Sequence, residues 1–138
     1  MKVLVDTSVW SVALRRPQGA QLGDLQARAV STLSDLVRDG RAVMMGVIRQ
    51  ELISGIKWQV QFEALKTALA AFDDVALSMA DYALAAQFFN TCRANGVQGS
   101  NTDFLICAAS VNHDLPILTL DQDFGNFQAW VPARLFAW

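Results

Sequence analysis

Histidine, cysteine and glutamate are all scarce in this chain. His113 is the only histidine, so neither a histidine-rich zinc site nor a set of histidine bases can be built. The two cysteines, Cys92 and Cys107, sit in apolar, helix-like surroundings without CxxC spacing. That excludes a disulfide scaffold and predicts buried free thiols in a reducing cytoplasm. Only two of the thirteen acids are glutamates, Glu51 and Glu63, which makes the position of each informative. No apolar run approaches the ~18–20 residues of a membrane span. The apolar start is interrupted at Asp6, too early for a secretory signal. A net charge of −2 neither points to a nucleic-acid partner nor excludes one. Internal repeats, low-complexity stretches and linkers are missing as well. The remaining picture is a cytoplasmic protein of 138 residues, 53% apolar, folded as a single domain over residues 1–138.

Short apolar segments alternate with segments of helical spacing. Residues 2–5 read as a buried strand, Ser8 to Leu14 as a short helix, and Leu25 to Arg38 as an amphipathic helix closed by Asp39-Gly40. Ala42 to Met45 reads as a second strand, Val47 to Ile56 as a helix, Phe62 to Phe72 as another, and Val75 to Leu77 as a third strand. Ser78-x-x-Asp81 has the capping-box form and opens a long helix to about Arg93. Asn101 to Phe124 then gives a helix opening on an acid, a turn at Asp114-Leu115-Pro116, and a strand from Ile117 to Leu120. Phe124 to Phe127 reads as a loop, with one more short strand around Arg134 to Phe136. This alternation predicts a three-layer α/β/α domain with a mainly parallel central sheet.

Two of the strands finish on carboxylates. Lys2 to Val5 runs into Asp6-Thr7-Ser8, and Ile117 to Leu120 runs into Asp121, with Asp123 two residues later. Acids at that place belong to the ligand edge of a parallel α/β sheet. Asp103 lies in the first turn of a helix whose next six residues are apolar, and Glu51 is flanked by Ile48, Leu52 and Ile53. Each acid also has a plainer role available. Asp6 can cap a helix, Asp103 completes a capping box with Ser100, Glu51 can lie on a solvated face, and Asp121 and Asp123 can be turn residues. Taken together they form an acidic set whose convergence has a cost. Two carboxylates ~5 Å apart repel by roughly 3 kcal/mol at an effective dielectric near 20. Oxygen ligands without histidine or cysteine favour a hard cation, Mg²⁺ or Mn²⁺. Such an ion meets phosphates and activates water, which implies hydrolysis of a phosphodiester or a phosphate monoester.

The stretches VDTSVW, RQEL and TDFLICAASVNHDLPILTLDQDF, in this order and spacing, resemble the PIN-domain ribonucleases, and most closely the VapC-like toxins of bacterial toxin–antitoxin pairs. The resemblance spans almost the whole chain. It implies that Asp6, Glu51, Asp103 and Asp121 hold one or two divalent ions and orient the water that cuts RNA. It further implies that Asp123 is secondary, and that Thr7, Ser8 and Thr119 support the acids by hydrogen bonding. A homodimer and a small antitoxin that blocks the site are also implied. Arg15, Arg16, Arg49 and Lys57 flank the acid-bearing segments and are candidates for RNA phosphates, or else ordinary solvated cations. Trp10 and Trp58 are candidates for base stacking, or for core or dimer packing. Three rivals differ in kind. A haloacid-dehalogenase-like phosphatase wants Asp-x-Asp after its first strand, and here Ser8 stands at the second position. A non-catalytic PIN-like binding module would have lost acids, and none is missing. A PIN-type RNA-processing nuclease that is not a toxin keeps the same site.

Overall fold

The computed structural model describes residues 1–15 and 21–138. Strand β1 (Val3–Val5) lies at the centre of a parallel sheet, with β2 (Ala42–Val43) on one side and β3 (Ile117–Leu118) on the other. Its three residues are fully buried, as an apolar strand covered on both faces must be. Between the strands come α1 (Thr7–Leu14), α2 (Asp24–Arg38), α3 (Gly46–Ile53), α4 (Gln59–Leu69), α5 (Met79–Ala94) and α6 (Asn101–Asn112). Helix α7 (Asp123–Phe127) follows β3. The chain steps from β1 to β2, then crosses back to β3. Right-handed crossovers taken in opposite directions lay helices on opposite faces of the sheet. Accordingly α1 packs on α2, and α5 packs along α6. The reversal of strand order falls between β1 and β3, and a sheet opens a crevice at such a point, outside the carboxyl ends of its strands.

Four expectations need correction. The third strand expected over Val75 to Leu77 is reduced to one parallel bridge, Met44 with Asp74, held by the Val75 N–H donating to the Met44 carbonyl at 3.0 Å. The chain leaves the sheet after one residue to reach Ser78, the cap of α5. The strand expected around Leu135 is likewise a single bridge, to Ile117. Residues 124–127, expected as a loop, form most of α7 despite Gly125. Phe124 and Phe127 lie three apart on one helical face, and both rings are buried. The Phe127 ring sits 4.8 Å from that of Phe104, so packing overrides the weak propensity. Helix α3 also stops earlier than expected, because Gly55 adopts φ +80° and turns the chain away.

Helices α5 and α6 are pinned at one end by a buried carboxylate. Asp81 is 2% exposed. It accepts from the Ser78 N–H at 2.8 Å, from the Asn112 amide at 2.8 Å, and pairs with His113 at 3.3 Å. Burial alone would push its pKa up, but the Ser78, Asn112 and His113 partners outweigh burial and hold it below the usual carboxylate range. A carboxyl with a depressed folded pKa stabilises the fold above its unfolded value, and that stability is lost as pH falls through the folded one. Asp81→Asn is therefore expected to cost roughly 1.5–3 kcal/mol at pH 7. The deficit shrinks as pH falls below the ordinary aspartate range. Urea unfolding at pH 7 and pH 3 measures this; an equal deficit at both would refute it.

Candidate functional site

Asp6 is placed by the end of β1 and the start of α1. Its side chain caps α1, and it is 5% exposed despite being an acid. Three donors converge on its Oδ2: the Ser8 hydroxyl at 2.8 Å, the Thr119 hydroxyl at 2.8 Å and the Ser8 N–H at 3.4 Å. The same hydroxyls accept from the chain leaving β3. The Leu120 N–H donates to Ser8 Oγ at 3.0 Å, and the Asp121 N–H to Thr119 Oγ1 at 2.9 Å. Two side-chain hydroxyls thus tie the carboxyl ends of adjacent parallel strands together around one carboxylate. Such a network needs residues that donate and accept at once, which Ser and Thr supply. All three bonds fall on one oxygen, in line with a carboxylate oriented to offer the other.

Asp121 is half-buried at the exit of β3, and its Oδ1 accepts from the Asp123 N–H at 2.9 Å. Asp123 itself is exposed at the start of α7. Asp103 enters from α6. It forms a capping box in which its N–H donates to Ser100 Oγ at 3.0 Å and its Oδ2 accepts from the Ser100 N–H at 3.2 Å. Burial pushes the Asp103 carboxyl pKa up. The Ser100 bonds oppose this, and the negative charges of Asp6 and Asp121 add to the rise. Asp6 after β1 and Asp121 after β3 therefore stand near enough to Asp103 on α6 for their charges to act on its carboxyl. One turn further along α6, Cys107 is buried, and its thiol is pushed up to about 12 by that burial and by the neighbouring Asp103 charge. Both cysteines are buried free thiols.

Glu51 is exposed on α3 and reaches this group indirectly: the Thr7 hydroxyl, next in the chain to Asp6, donates to its Oε1 at 2.9 Å. Among the described residues, no three His, Cys, Asp or Glu side chains stand close enough together to grip one ion. The acids share a field without forming a finished cage. Their chemistry nonetheless fits a hard cation: every donor is oxygen, and their mutual repulsion is what a divalent ion would relieve.

The basic residues divide. Arg16 lies outside the described residues. Arg15 is exposed at the end of α1, and the Lys57 ammonium lies 5.1 Å from the Trp58 ring centroid. Both cations line a cleft of about 700 Å³ with Trp58, which is 61% exposed. Arg49, by contrast, is taken up by the fold. Its guanidinium donates to Asp74 at 2.9 Å, to the Leu69 carbonyl at 2.8 Å and to the Phe72 carbonyl. Nothing in the sequence near Arg49 announces Asp74 as its partner. Trp10 is core: it is 2% exposed, its N–H donates to the Val5 carbonyl at 3.1 Å, and its ring packs edge-on to Phe72.

Comparison with known proteins gives the geometry a context. None of the curated proteins compared with the chain matches it. Among solved structures, FitAcB from Neisseria gonorrhoeae superposes with TM-score 0.73 at 20% identity, covering 98% of this chain and 96% of that one. VapBC2 from Rickettsia felis, bound to a DNA fragment from its promoter, gives TM-score 0.75 at 15% identity and covers 100% of this chain and 99% of that one. VapBC-5 from Mycobacterium tuberculosis, of the VapBC family of toxin–antitoxin systems, gives 0.68 at 19%, covering 99% and 98%. At such identities the likeness speaks for the fold. The pattern that defines the PIN domain matches residues 3–129, a span running from β1 to just beyond α7 and including every acid described above, and the chain belongs to the PIN domain family.

Proposed function

We propose that this protein is a divalent-metal-dependent endoribonuclease, the toxin of a toxin–antitoxin pair. What supports the proposal is that Asp6 and Asp121, at the ends of the two strands flanking the order reversal, are linked through the Thr119 hydroxyl, and that their charges act on the Asp103 carboxyl of α6. Asp6, Asp103 and Asp121 would hold Mg²⁺ or Mn²⁺, with Glu51 completing the oxygen set. A bound ion of this kind polarises a phosphoryl oxygen and makes water nucleophilic near neutral pH. The chain's own residues do the rest. Ser8 and Thr119 fix the Asp6 carboxylate, the capping box fixes Asp103, and Thr7 holds Glu51 toward the same end of the sheet. Arg15 and Lys57, exposed along one cleft, are available to meet RNA phosphates. An antitoxin partner is supported by similarity to VapBC toxin–antitoxin pairs; that it blocks the site, and that the toxin is a homodimer, is what the family resemblance implies.

Purified protein is expected to cut single-stranded RNA with Mg²⁺ or Mn²⁺ and to lose that cleavage fully on chelation, with recovery when the ion is restored. Cleavage that persists in chelator would exclude the metal-dependent mechanism. Intact RNA in the presence of the metal, with the protein folded, would favour the binding-module alternative. Growth arrest on expression, relieved by the protein encoded next door, separates a toxin from an RNA-processing enzyme.

A further inference from the structure

We propose that the cleft between the end of α5 and the entry to α6 receives a nucleobase of the RNA strand beside the scissile phosphate; this rests on the nuclease reading above. The cleft holds about 230 Å³ and is lined by Phe89, Arg93, Val97, Gln98, Gly99 and Phe104. Its place is what gives it meaning. Ser100 and Asp103 are bound to each other through the capping box, and the cleft is built from their immediate chain neighbours, Gly99 and Phe104. A base seated there lies beside the chain segment that carries Asp103.

The lining suits a base. Phe89 is half-buried and stands edge-on to the buried Phe104, with ring centroids 5.6 Å apart, so the partly exposed Phe89 ring is the surface the cleft offers for stacking. Base-on-aromatic stacking tolerates any base because each has a π-face. Gly99 lets the chain press against the buried rings beneath the cleft: a Cβ at that position would lie 2.6 Å from the Phe127 ring and 2.9 Å from that of Phe104, so a side chain there would disturb the cleft's floor. Two exposed polar residues stand at the rim. The Gln98 amide offers a donor and an acceptor together, which is what a base edge requires. Arg93, in the last turn of α5, has no carboxylate partner among the described residues and can meet the adjoining phosphate.

The test pairs cleavage with binding. Hexanucleotide RNAs that vary the base flanking the cut are given to the wild type, Arg93→Ala and Gln98→Ala; both positions are exposed, so neither change threatens the fold. The wild type is expected to prefer certain bases at one flanking position; Gln98→Ala flattens that preference, Arg93→Ala keeps it, and both raise KM about tenfold while kcat holds. RNA carrying 2-aminopurine at that position, bound to Asp6→Asn protein, is expected to be quenched by stacking, and less so when Gln98→Ala is added. Unchanged preference in Gln98→Ala and unchanged quenching, with wild-type cleavage intact, overturn the base cleft and leave the nuclease standing. A wild type that neither binds nor cuts RNA overturns both.

Discussion

Replacing Asp103 by asparagine is expected to lower RNA cleavage by roughly 10³-fold while making the metal-free protein more resistant to heat. The two effects have one cause. Removing a single electrostatic element of an active site costs 10²–10³ in rate, and Asp103 is proposed above as a metal ligand. The opposite sign for stability follows from its environment. Burial raises the Asp103 pKa, and the Asp6 and Asp121 charges push it further in that direction. A carboxyl whose folded pKa lies above its unfolded one binds protons more tightly when folded, so stability falls as pH rises through that interval. Above that interval the cost of the charge is fully present. Asparagine keeps much of the shape and loses the charge, although it also gives up the acid favoured in a helix's first turn. Because Asp103 is only half-buried and screened by solvent, the net gain is at most about 1 kcal/mol, a rise of roughly 2–4 °C. Calorimetry in chelator and cleavage assays with Mn²⁺ measure both. A lower melting temperature would mean that the capping box, not the repulsion, governs this position. Retained cleavage would remove Asp103 from the site.

The order of elements, and the acids at the strand ends, were legible because both are local signals. A buried strand followed at once by Asp is visible in VLVD and in ILTLD, and the capping boxes at Ser78 and Ser100 are four-residue patterns. What was not legible depends on residues far apart in the chain. Whether Val75 to Leu77 ladders or merely touches the sheet depends on where α5 must begin. Whether Phe124 to Phe127 coils into a helix depends on Phe104 being underneath. The network around Asp6 joins positions more than a hundred residues apart. Ser8 and Thr119 could be named as supports from the resemblance, yet their shared grip on one oxygen of Asp6 is a fact of strand adjacency. Basic residues were the least legible. A cation near an acidic segment reads the same whether it awaits a phosphate or is already spoken for.

Arg49 is the sharpest instance, and its replacement separates the two roles. A phosphate-binding arginine, once removed, leaves stability unchanged, weakens RNA binding and reduces its salt dependence. The structure gives Arg49 a different task. From α3 it bonds Asp74 at the edge of the sheet and the Leu69 and Phe72 carbonyls where α4 ends. Its side chain is 24% exposed against 39% for Asp74, so the pair is neither deeply buried nor freely solvated. Arg49→Leu leaves Asp74 and the Phe72 carbonyl without their donor, while the Leu69 carbonyl keeps the Phe72 N–H at 3.1 Å. Each unsatisfied group costs about 1–3 kcal/mol when shielded from water. Discounted for partial exposure, the loss is about 3 kcal/mol, a fall of roughly 10 °C in melting temperature. Activity should drop as well, since Glu51 lies two residues along the same helix and depends on α3 for its approach to Thr7. Lysine restores the charge but cannot span three acceptors with a planar fork, so Arg49→Lys should recover little of the stability. Thermal melts of the two variants, with RNA affinity measured across a salt series, decide the matter. A normal melt with a shallower salt slope would return Arg49 to the RNA. A large loss of stability with the slope unchanged would fix it as the brace that holds the glutamate's helix in place.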